Sequence, residues 1–384
     1  MTEKRSRNAL PIYLTVFASF FDTHAQLPIL ALFAVSLGAD SLGVGTVIGV
    51  YSLFNIIGNG IGGSAIDRLG WRRPMLWGLL GVTLTLYGYL LVGSTPALVL
   101  VRGLHGLTGG ILIPATLASL SPRSGNRFAL KHSRRVAFYG LSIGLAALTG
   151  PPLAGLISAR FSFQAAYLGI ALLMTAASVF AFFYTRGGEN PAAADSLNWA
   201  RAFRLSLPPL PAAACLMAFA LMGGTGSMAA FMPVLAASRG FSQAGIGMLF
   251  ALFALTVIIL QLYRAAANWP RSDLFVTAMT GAAILVAALL LIHGAANPLV
   301  FAAAMALYGL GFGVIFPTIL TMVMRGASEE NRGLITGAFF ALLDVPIPAP
   351  PELPGLMGIV GIYLGYKLVA ESGISMTVLE SLGL

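Results

Sequence analysis

Long apolar stretches recur along the whole chain and are separated by short polar or basic segments. Six of them come first, at residues 10–37, 43–66, 74–92, 97–120, 136–159 and 163–184. Six more follow, at residues 211–237, 244–265, 274–293, 298–324, 333–350 and 355–370. Most have the length, roughly 17–25 residues, with which an α-helix crosses the hydrocarbon core of a bilayer. The pattern therefore predicts twelve membrane-spanning helices.

A polar segment divides these spans into two sets of six. We predict an N-terminal six-helix bundle at 1–185, a cytoplasmic linker at 186–208 and a C-terminal bundle at 209–384. Gly106 and Pro114 in the fourth span recur about 200 residues later as Gly309 and Pro317 in the tenth. A repeat of this length indicates a duplicated six-helix unit, with the two copies related by pseudo-symmetry.

The end of the second bundle departs from this regularity. Five prolines follow Asp344 within ten residues, and proline in a helix interior removes a hydrogen bond and breaks the helix. The last apolar stretch, 355–370, is also short for a span. The sequence leaves helices 11 and 12 uncertain, and with them the competence of the protein for transport.

Composition and charge place the chain in the same class. Hydrophobic residues make up 58% and charged residues 9% of the chain, far from the balance of a soluble domain. Every Lys and Arg except Arg102, Arg160 and Arg239 lies in segments on one side of the predicted membrane. The positive-inside rule then predicts a multi-pass protein of the inner or plasma membrane with a cytoplasmic N-terminus. The net charge of +9 faces anionic lipid, so no nucleic-acid partner is expected.

Enzyme chemistry has no visible basis in the sequence. The chain has one cysteine and four histidines, without metal-binding spacing. It also lacks a nucleophile–base set and a nucleotide-binding loop. We therefore expect no catalytic residues, no metal and no cofactor.

A charged turn between spans 2 and 3 is the most specific local feature. It consists of Gly63, Asp67, Arg68, Gly70, Arg72 and Arg73. Clustered charge at a membrane surface is costly, so we interpret this turn as a cytoplasmic gate motif. The plainer alternative is a loop that only anchors the topology.

Polar residues in spans 1, 2 and 4 form the candidate site. Span 1 carries Thr15, Ser19, Asp22 and Gln26, and span 2 carries Tyr51, Asn55 and Asn59. Spacings of three and four place each set on one helical face. Arg102 and His105 of span 4 complete a predicted cavity of mixed polarity. The alternative for the amides is hydrogen bonding between helices without a ligand.

Asp22 and Arg102 are the candidates for proton coupling. An ionised carboxylate at the centre of a helix costs about 2.5–3.5 kcal/mol on insertion, which protonation would reduce. A carboxyl that changes charge as its access changes is what proton coupling needs. Arg102 stays charged and requires a partner, so a direct pairing with Asp22 is a hypothesis.

Three of these segments resemble motifs of the major facilitator superfamily of secondary transporters. The charged turn resembles its signature loop, and Arg102 to Gly106 resembles its R-x-x-x-G motif, whose arginine is implied to assist proton transfer. Gly150, Pro151 and Gly155 resemble the helix 5 motif of its antiporters, although Ala154 replaces one glycine. The resemblance implies an all-α integral-membrane fold of twelve helices in two pseudo-symmetric six-helix bundles.

The expected function is secondary transport by alternating access. We expect a monomer that exports a small amphipathic compound in exchange for protons, with the proton gradient as its energy source. One alternative is a proton-coupled uptake symporter of a sugar or metabolite. Another is a transport-inactive membrane sensor or scaffold that keeps the fold. The sequence does not identify the substrate.

Overall fold

The computed structural model describes residues 9–120, 129–185, 209–266, 274–295 and 297–326. These residues form helices joined by short turns, and they contain no β-strand. The first seven helices are α1 (Ala9–Ala25), α2 (Leu30–Ser36), α3 (Ser41–Leu69), α4 (Arg72–Gly88), α5 (Thr95–Leu120), α6 (Ala129–Arg160) and α7 (Phe163–Tyr184). The next four are α8 (Pro209–Ser238), α9 (Gln243–Ala266), α10 (Leu274–Gly294) and α11 (Pro298–Gly326). A 3₁₀ turn, Tyr89–Leu91, extends α4.

Ten membrane spans can be assigned within the described residues. Nine helices are long and apolar enough to cross a bilayer, and α1 with α2 forms a tenth span that is bent by 45°. These ten match the first ten predicted spans, which confirms the all-α integral-membrane class. The spans predicted at 333–350 and 355–370 lie outside the described residues.

Local sequence signals set several helix ends. Asp40 caps α3, because its Oδ1 accepts a hydrogen bond of 2.7 Å from the Gly43 amide. Ser162 caps α7 in the same way through the Ala165 amide, at 3.0 Å. Gly70 ends α3 with φ at 73°, a conformation that side chains other than glycine rarely adopt.

Helix α3 shows how one span divides between lipid and protein. Leu53, Ile57 and Ile61 recur every fourth residue and are exposed, as expected for a face that contacts lipid. Gly58 and Gly62 lie on a buried face against α5, where a Cβ on Gly62 would come within 3.0 Å of the Ile111 Cα. Small residues let the two backbones approach closely, as is typical of membrane helix pairs.

The described residues form two compact units. The first comprises residues 9–120, 129–185 and 229–254, and the second comprises residues 209–228, 255–266, 274–295 and 297–326. In the second unit, α10 and α11 meet at two glycines, since a Cβ on Gly281 would lie 3.1 Å from the Gly311 carbonyl oxygen. The predicted linker at 186–208 lies outside the described residues, so the predicted domain boundaries stay a prediction.

Candidate functional site

A break in the first span positions two of the predicted site residues. Pro28 cannot donate a backbone hydrogen bond, and α1 ends at Ala25, three residues before it. The freed Gln26 carbonyl accepts from the amides of Ile29, at 3.1 Å, and Leu30, at 2.9 Å. Gln26 therefore stands in the turn after α1, and its side-chain Nε2 donates to Asp22 Oδ1 at 2.7 Å.

Asp22 forms a buried ion pair or hydrogen bond with His105 of α5. The Asp22 Oδ2 and His105 Nε2 atoms are 2.9 Å apart, and the two residues are only 2% and 1% exposed. This contact is the one acid–base pair within salt-bridge distance in the described part of the chain. Both Asp22 oxygens thus have a hydrogen-bonding neighbour, which offsets part of the cost of burying the carboxyl group.

Arg102 reaches this pair through intermediates, not directly. Its Nη1 donates to Gln26 Oε1 at 3.0 Å and lies 3.5 Å from the Tyr89 hydroxyl. Its Cζ lies 4.2 Å from the centroid of the Tyr51 ring, in a cation–π contact. The hypothesis of a direct Asp22–Arg102 pairing is therefore wrong in detail, because Gln26 lies between the two charges and bonds to both.

Two tyrosines that the sequence analysis did not name as site residues complete the cluster. The Tyr89 hydroxyl lies 3.2 Å from His105 Nδ1, and the Tyr89 ring stacks on Tyr167 of α7 at a centroid distance of 4.3 Å. Both tyrosines are fully buried. The sequence signal that could have identified them is a tyrosine inside an apolar span, since a buried hydroxyl group usually needs a hydrogen-bond partner.

The polar stripe of α3 packs against α5. Tyr51 contacts His105 edge to face, with ring centroids 5.4 Å apart. Asn55 Nδ2 donates to the Gly106 carbonyl at 3.4 Å, and Asn59 Nδ2 donates to Asn55 Oδ1 at 2.9 Å. Asn55 thus forms a hydrogen bond between helices, which was the predicted alternative to lining a cavity. A role of these amides in substrate binding stays a prediction.

Thr15 and Ser19 are buried but bond within their own helix. Thr15 Oγ1 donates to the Pro11 carbonyl and Ser19 Oγ donates to the Thr15 carbonyl, each at 2.8 Å. Such bonds to the preceding turn satisfy a hydroxyl inside an apolar helix. The two residues share the face of Asp22, as the spacing predicts, and their part in substrate binding also stays a prediction.

The charged turn forms a helix-to-helix brace through one arginine. Arg72 Nε donates to the Thr185 carbonyl at 2.7 Å, and its Nη2 donates to the Phe182 carbonyl at 2.9 Å. A cation suits this position because the last carbonyls of α7 carry the negative end of its dipole. Asp67 is partly buried, whereas Arg68 and Arg73 are exposed. Gly63 has no described atom within 4 Å of an added Cβ. The gating role of the motif stays a prediction.

The helix 5 motif lies in α6 at tight backbone contacts within the first unit. A Cβ on Gly150 would come within 3.1 Å of the Phe21 carbonyl oxygen, beside Asp22 in α1. Gly155 faces the Gln243 carbonyl, and Gly247 of α9 faces the Pro151 carbonyl. These positions need glycine for packing, and a coupling role for the motif stays a prediction.

Comparison with curated proteins finds two resistance proteins that match over most of their length. The chain is 24% identical over 360 residues to the class C tetracycline resistance protein of Escherichia coli, covering 89% of this chain and 87% of that protein. It is 22% identical to the multidrug resistance protein MdtG of Citrobacter koseri, covering 86% of this chain and 82% of MdtG.

Solved transporter structures share the fold at low sequence identity. A nucleoside transporter, NupG, matches with a TM-score of 0.75 at 14% identity, covering 94% of this chain and 99% of NupG. A peptide transporter, POT, in complex with sulfate matches with a TM-score of 0.74 at 15% identity, covering 95% and 94%. The human organic anion transporter MFSD10 (TETRAN) matches with a TM-score of 0.64 at 18% identity, covering 96% and 100%.

The family itself is identified over most of the chain. Residues 12–349 match the family model of the Major Facilitator Superfamily. This match confirms the resemblance first noted in the charged turn and in the motifs of spans 4 and 5. The chain belongs to the Major Facilitator Superfamily and is a multi-pass membrane transporter of small molecules.

Proposed function

We propose that this protein is a proton-coupled antiporter that exports a small amphipathic compound. Its energy source is the proton gradient across the plasma membrane, and it works as a monomer with its N-terminus in the cytoplasm. The names of the two curated relatives, a tetracycline resistance protein and a multidrug resistance protein, support export of a drug-like compound. The helix 5 motif at Gly150 supports exchange over symport.

The buried Asp22–His105 pair is the observation that carries this proposal. It lies inside a membrane protein and holds two groups that can exchange a proton, 2.9 Å apart. Keeping an ionisable pair there costs several kcal/mol unless its hydrogen bonds are satisfied. Ionisable residues within membrane spans typically mark ion and proton pathways.

Arg102 gives the pair a fixed positive neighbour. Its charge does not change with pH, and it connects to Asp22 through Gln26. When the pair carries no extra proton, the charges of Asp22 and Arg102 cancel. When the pair takes up a proton, the cluster gains one positive charge. The protonated and unprotonated clusters thus differ in charge. In the proposed mechanism, this difference makes one state favour the conformation open to the cytoplasm and the other the conformation open to the outside.

The test is accumulation of a compound driven by an imposed pH gradient. Purified protein in proteoliposomes with an acidic lumen should accumulate tetracycline, or a fluorescent amphipathic compound from a panel, above its outside concentration. Asp22→Asn should abolish this accumulation, because it removes the carboxylate from the pair that takes up the proton, while exchange of labelled for unlabelled compound without a gradient continues.

Three other outcomes would redirect the proposal. Accumulation driven by an alkaline lumen, with protons moving in the direction of the compound, would assign uptake symport. Binding without any flux would assign a membrane sensor. Full gradient-driven accumulation by Asp22→Asn would remove Asp22 from proton coupling.

A further inference from the structure

The hydrogen bonds of the cluster have a direction that Arg102 determines. A guanidinium group has donors and no acceptor. The two oxygen atoms that Arg102 Nη1 approaches, Gln26 Oε1 at 3.0 Å and the Tyr89 hydroxyl oxygen at 3.5 Å, must therefore accept. The orientation of the Gln26 amide follows from this, since the opposite orientation would place N–H groups against the guanidinium.

Two branches run from Arg102 and meet at Asp22. In the first branch, the Gln26 amide nitrogen donates to Asp22 Oδ1 at 2.7 Å. In the second branch, the Tyr89 hydroxyl accepts from Arg102, and its own hydrogen is left to donate to His105 Nδ1 at 3.2 Å. The ring proton of neutral His105 is then on Nε2, where it is donated to Asp22 Oδ2 at 2.9 Å.

The known contacts of Asp22 offer an added proton no acceptor as long as the ring proton of His105 stays on Nε2. A proton on Oδ1 along the Gln26 contact would face an N–H group, and a proton on Oδ2 could be donated to Nε2 only after the ring proton has moved to Nδ1. In either case the protonated pair carries an N–H group at Nδ1. His105 Nδ1 differs, because its neighbour is a hydroxyl group that can rotate. Once the Tyr89 hydrogen turns away, the Tyr89 oxygen can accept from Nδ1.

We propose that the proton that drives transport enters the pair at Nδ1 of His105, beside the Tyr89 hydroxyl. This inference rests on the proposed function and deepens it. The new N–H bond forms at Nδ1, and the resulting imidazolium donates to the Tyr89 oxygen and, through Nε2, to ionised Asp22. Release reverses the step: the Nδ1–H bond breaks, the proton leaves, and the Tyr89 hydrogen returns. Asp22 acts as the permanent counter-ion of the imidazole.

The surroundings of His105 suit this role. The titratable and charged groups of the described residues that face it are Asp22 from α1, Tyr51 from α3, Tyr89 after α4 and Arg102 from its own helix. Tyr167 of α7 stands behind Tyr89. The rings of Tyr51 and Tyr89 meet the imidazole edge to face, at 90° and 78°, and so fix its plane.

The decisive variant is His105→Gln. Glutamine can still donate an N–H group to Asp22, but it cannot hold a proton. We expect no proton flux in His105→Gln proteoliposomes, and the exchange of labelled for unlabelled tetracycline that remains should show no pH dependence between about pH 5 and 8. The matched control is His24→Gln, because His24 Nδ1 bonds to the Phe20 carbonyl of its own helix at 2.7 Å and lies outside the cluster. This control should keep both proton flux and pH dependence.

Persistent proton flux in His105→Gln would overturn the inference and return the proton to Asp22. That result would leave proton-coupled transport itself intact. Absence of proton flux in the wild type would instead contradict the proposed function.

A spectroscopic titration decides the proton position independently of transport. Wild-type protein labelled with nitrogen-15 at histidine is compared with His105→Gln to assign the His105 signals. We expect both ring nitrogens of His105 to be protonated at acidic pH and only Nε2 at alkaline pH. A ring that stays neutral between about pH 5 and 8 would contradict the inference, whatever the transport assays give.

Discussion

Arg102 illustrates how a buried charge can be held without a carboxylate in contact. The partners of its guanidinium in the described residues are an amide oxygen, a hydroxyl group and an aromatic face. Both hydrogen bonds leave from Nη1, while the flat guanidinium group also lies over the Tyr51 ring; the ammonium group of lysine is a compact point charge and has no flat face of this kind. Position 102 therefore requires the shape of arginine as well as its charge.

Replacing Arg102 by Lys should lower gradient-driven transport roughly tenfold or more, although the charge is kept. The loss corresponds to at least one charge-assisted hydrogen bond of about 1.5–3 kcal/mol. The measurement is the initial rate at which proteoliposomes at matched protein content accumulate a compound that the wild type transports. Arg160→Lys, at an exposed position at the end of α6, is the control and should retain the wild-type rate. An equal rate in Arg102→Lys would show that charge alone suffices.

Sequence spacing predicted contacts between residues of one helix, but not contacts between residues of different helices. Thr15, Ser19, Asp22 and Gln26 were placed on one face from their spacing, and Asp22 does bond to Gln26. The contact of Asp22 with His105 joins residues 83 positions apart, and periodicity within a helix contains no information about such a pair. The same limit explains why Tyr89 and Tyr167 were missed.

At the scale of elements, the site depends on how closely α3 and α5 approach. Gly58 faces the Leu107 carbonyl, Gly106 faces the Tyr51 carbonyl and Gly110 faces the Asn55 carbonyl. An added methyl group at any of these glycines would overlap backbone, which cannot move aside as a flexible side chain can. The residues next to these glycines, Arg102 and His105 among them, would shift with the helix.

Gly106→Ala should therefore destabilise the protein by about 1–3 kcal/mol, the usual cost of overpacking. It should also impair proton-coupled transport, since Tyr51 holds both Arg102 and His105. The measurements are thermal unfolding followed by circular dichroism, and gradient-driven accumulation. Gly169→Ala in α7 is the control, because its added Cβ would meet only the Ile157 Cδ1 atom, at 3.8 Å. Unchanged stability and transport in Gly106→Ala would contradict the close approach of the two helices.

The charged turn also contributes to stability, through the hydrogen bonds of Arg72 to the end of α7. Arg72→Met should lower the free energy of unfolding by about 1 kcal/mol, because two hydrogen bonds to the last carbonyls of α7 are lost from a partly exposed side chain. Arg73→Met removes the same charge at an exposed position and should change stability much less. Equal effects from the two variants would mean that charge, and not the brace, is what matters.

Element boundaries were predictable where apolar stretches end at a clear signal. The span at Phe163–Tyr184 begins after the Ser162 cap and was predicted with the observed bounds. The break in the first span was not predicted, because Leu27, Pro28 and Ile29 are all apolar and leave the hydropathy pattern uninterrupted. That break is what moves Gln26 out of the helix and between Asp22 and Arg102.

At the scale of the whole molecule, the repeated sequence produces related contacts with different chemistry. In the first unit, α3 bonds to α5 through Asn55 and the Gly106 carbonyl. In the second unit, α9 bonds to α11 through Gln261 and the Gly313 carbonyl, at 2.9 Å. Within the described residues the titratable cluster has no such counterpart, because Tyr308 stands where the repeat aligns His105, and Gly224 stands near the position of Asp22. We therefore place the proposed proton coupling in the first unit.

This asymmetry makes a prediction for Tyr308. Its hydroxyl lies 3.3 Å from Thr225 Oγ1, and we expect Tyr308→Phe to retain the pH dependence of the exchange of a transported compound. His105→Gln, at the repeat-related position, should lose that dependence. The comparison uses the exchange rate between about pH 5 and 8. Loss of pH dependence in Tyr308→Phe would place part of the coupling in the second unit.

Exchange of a compound for protons is tested most directly by recording both fluxes at once. Proteoliposomes with an acidic lumen receive, from outside, a compound that the wild type accumulates, while lumenal pH and compound content are followed in the same sample. We expect lumenal pH to rise as the compound enters, and both signals to fail together in Asp22→Asn. Entry of the compound with no change of lumenal pH, or with further acidification, would contradict proton-coupled export.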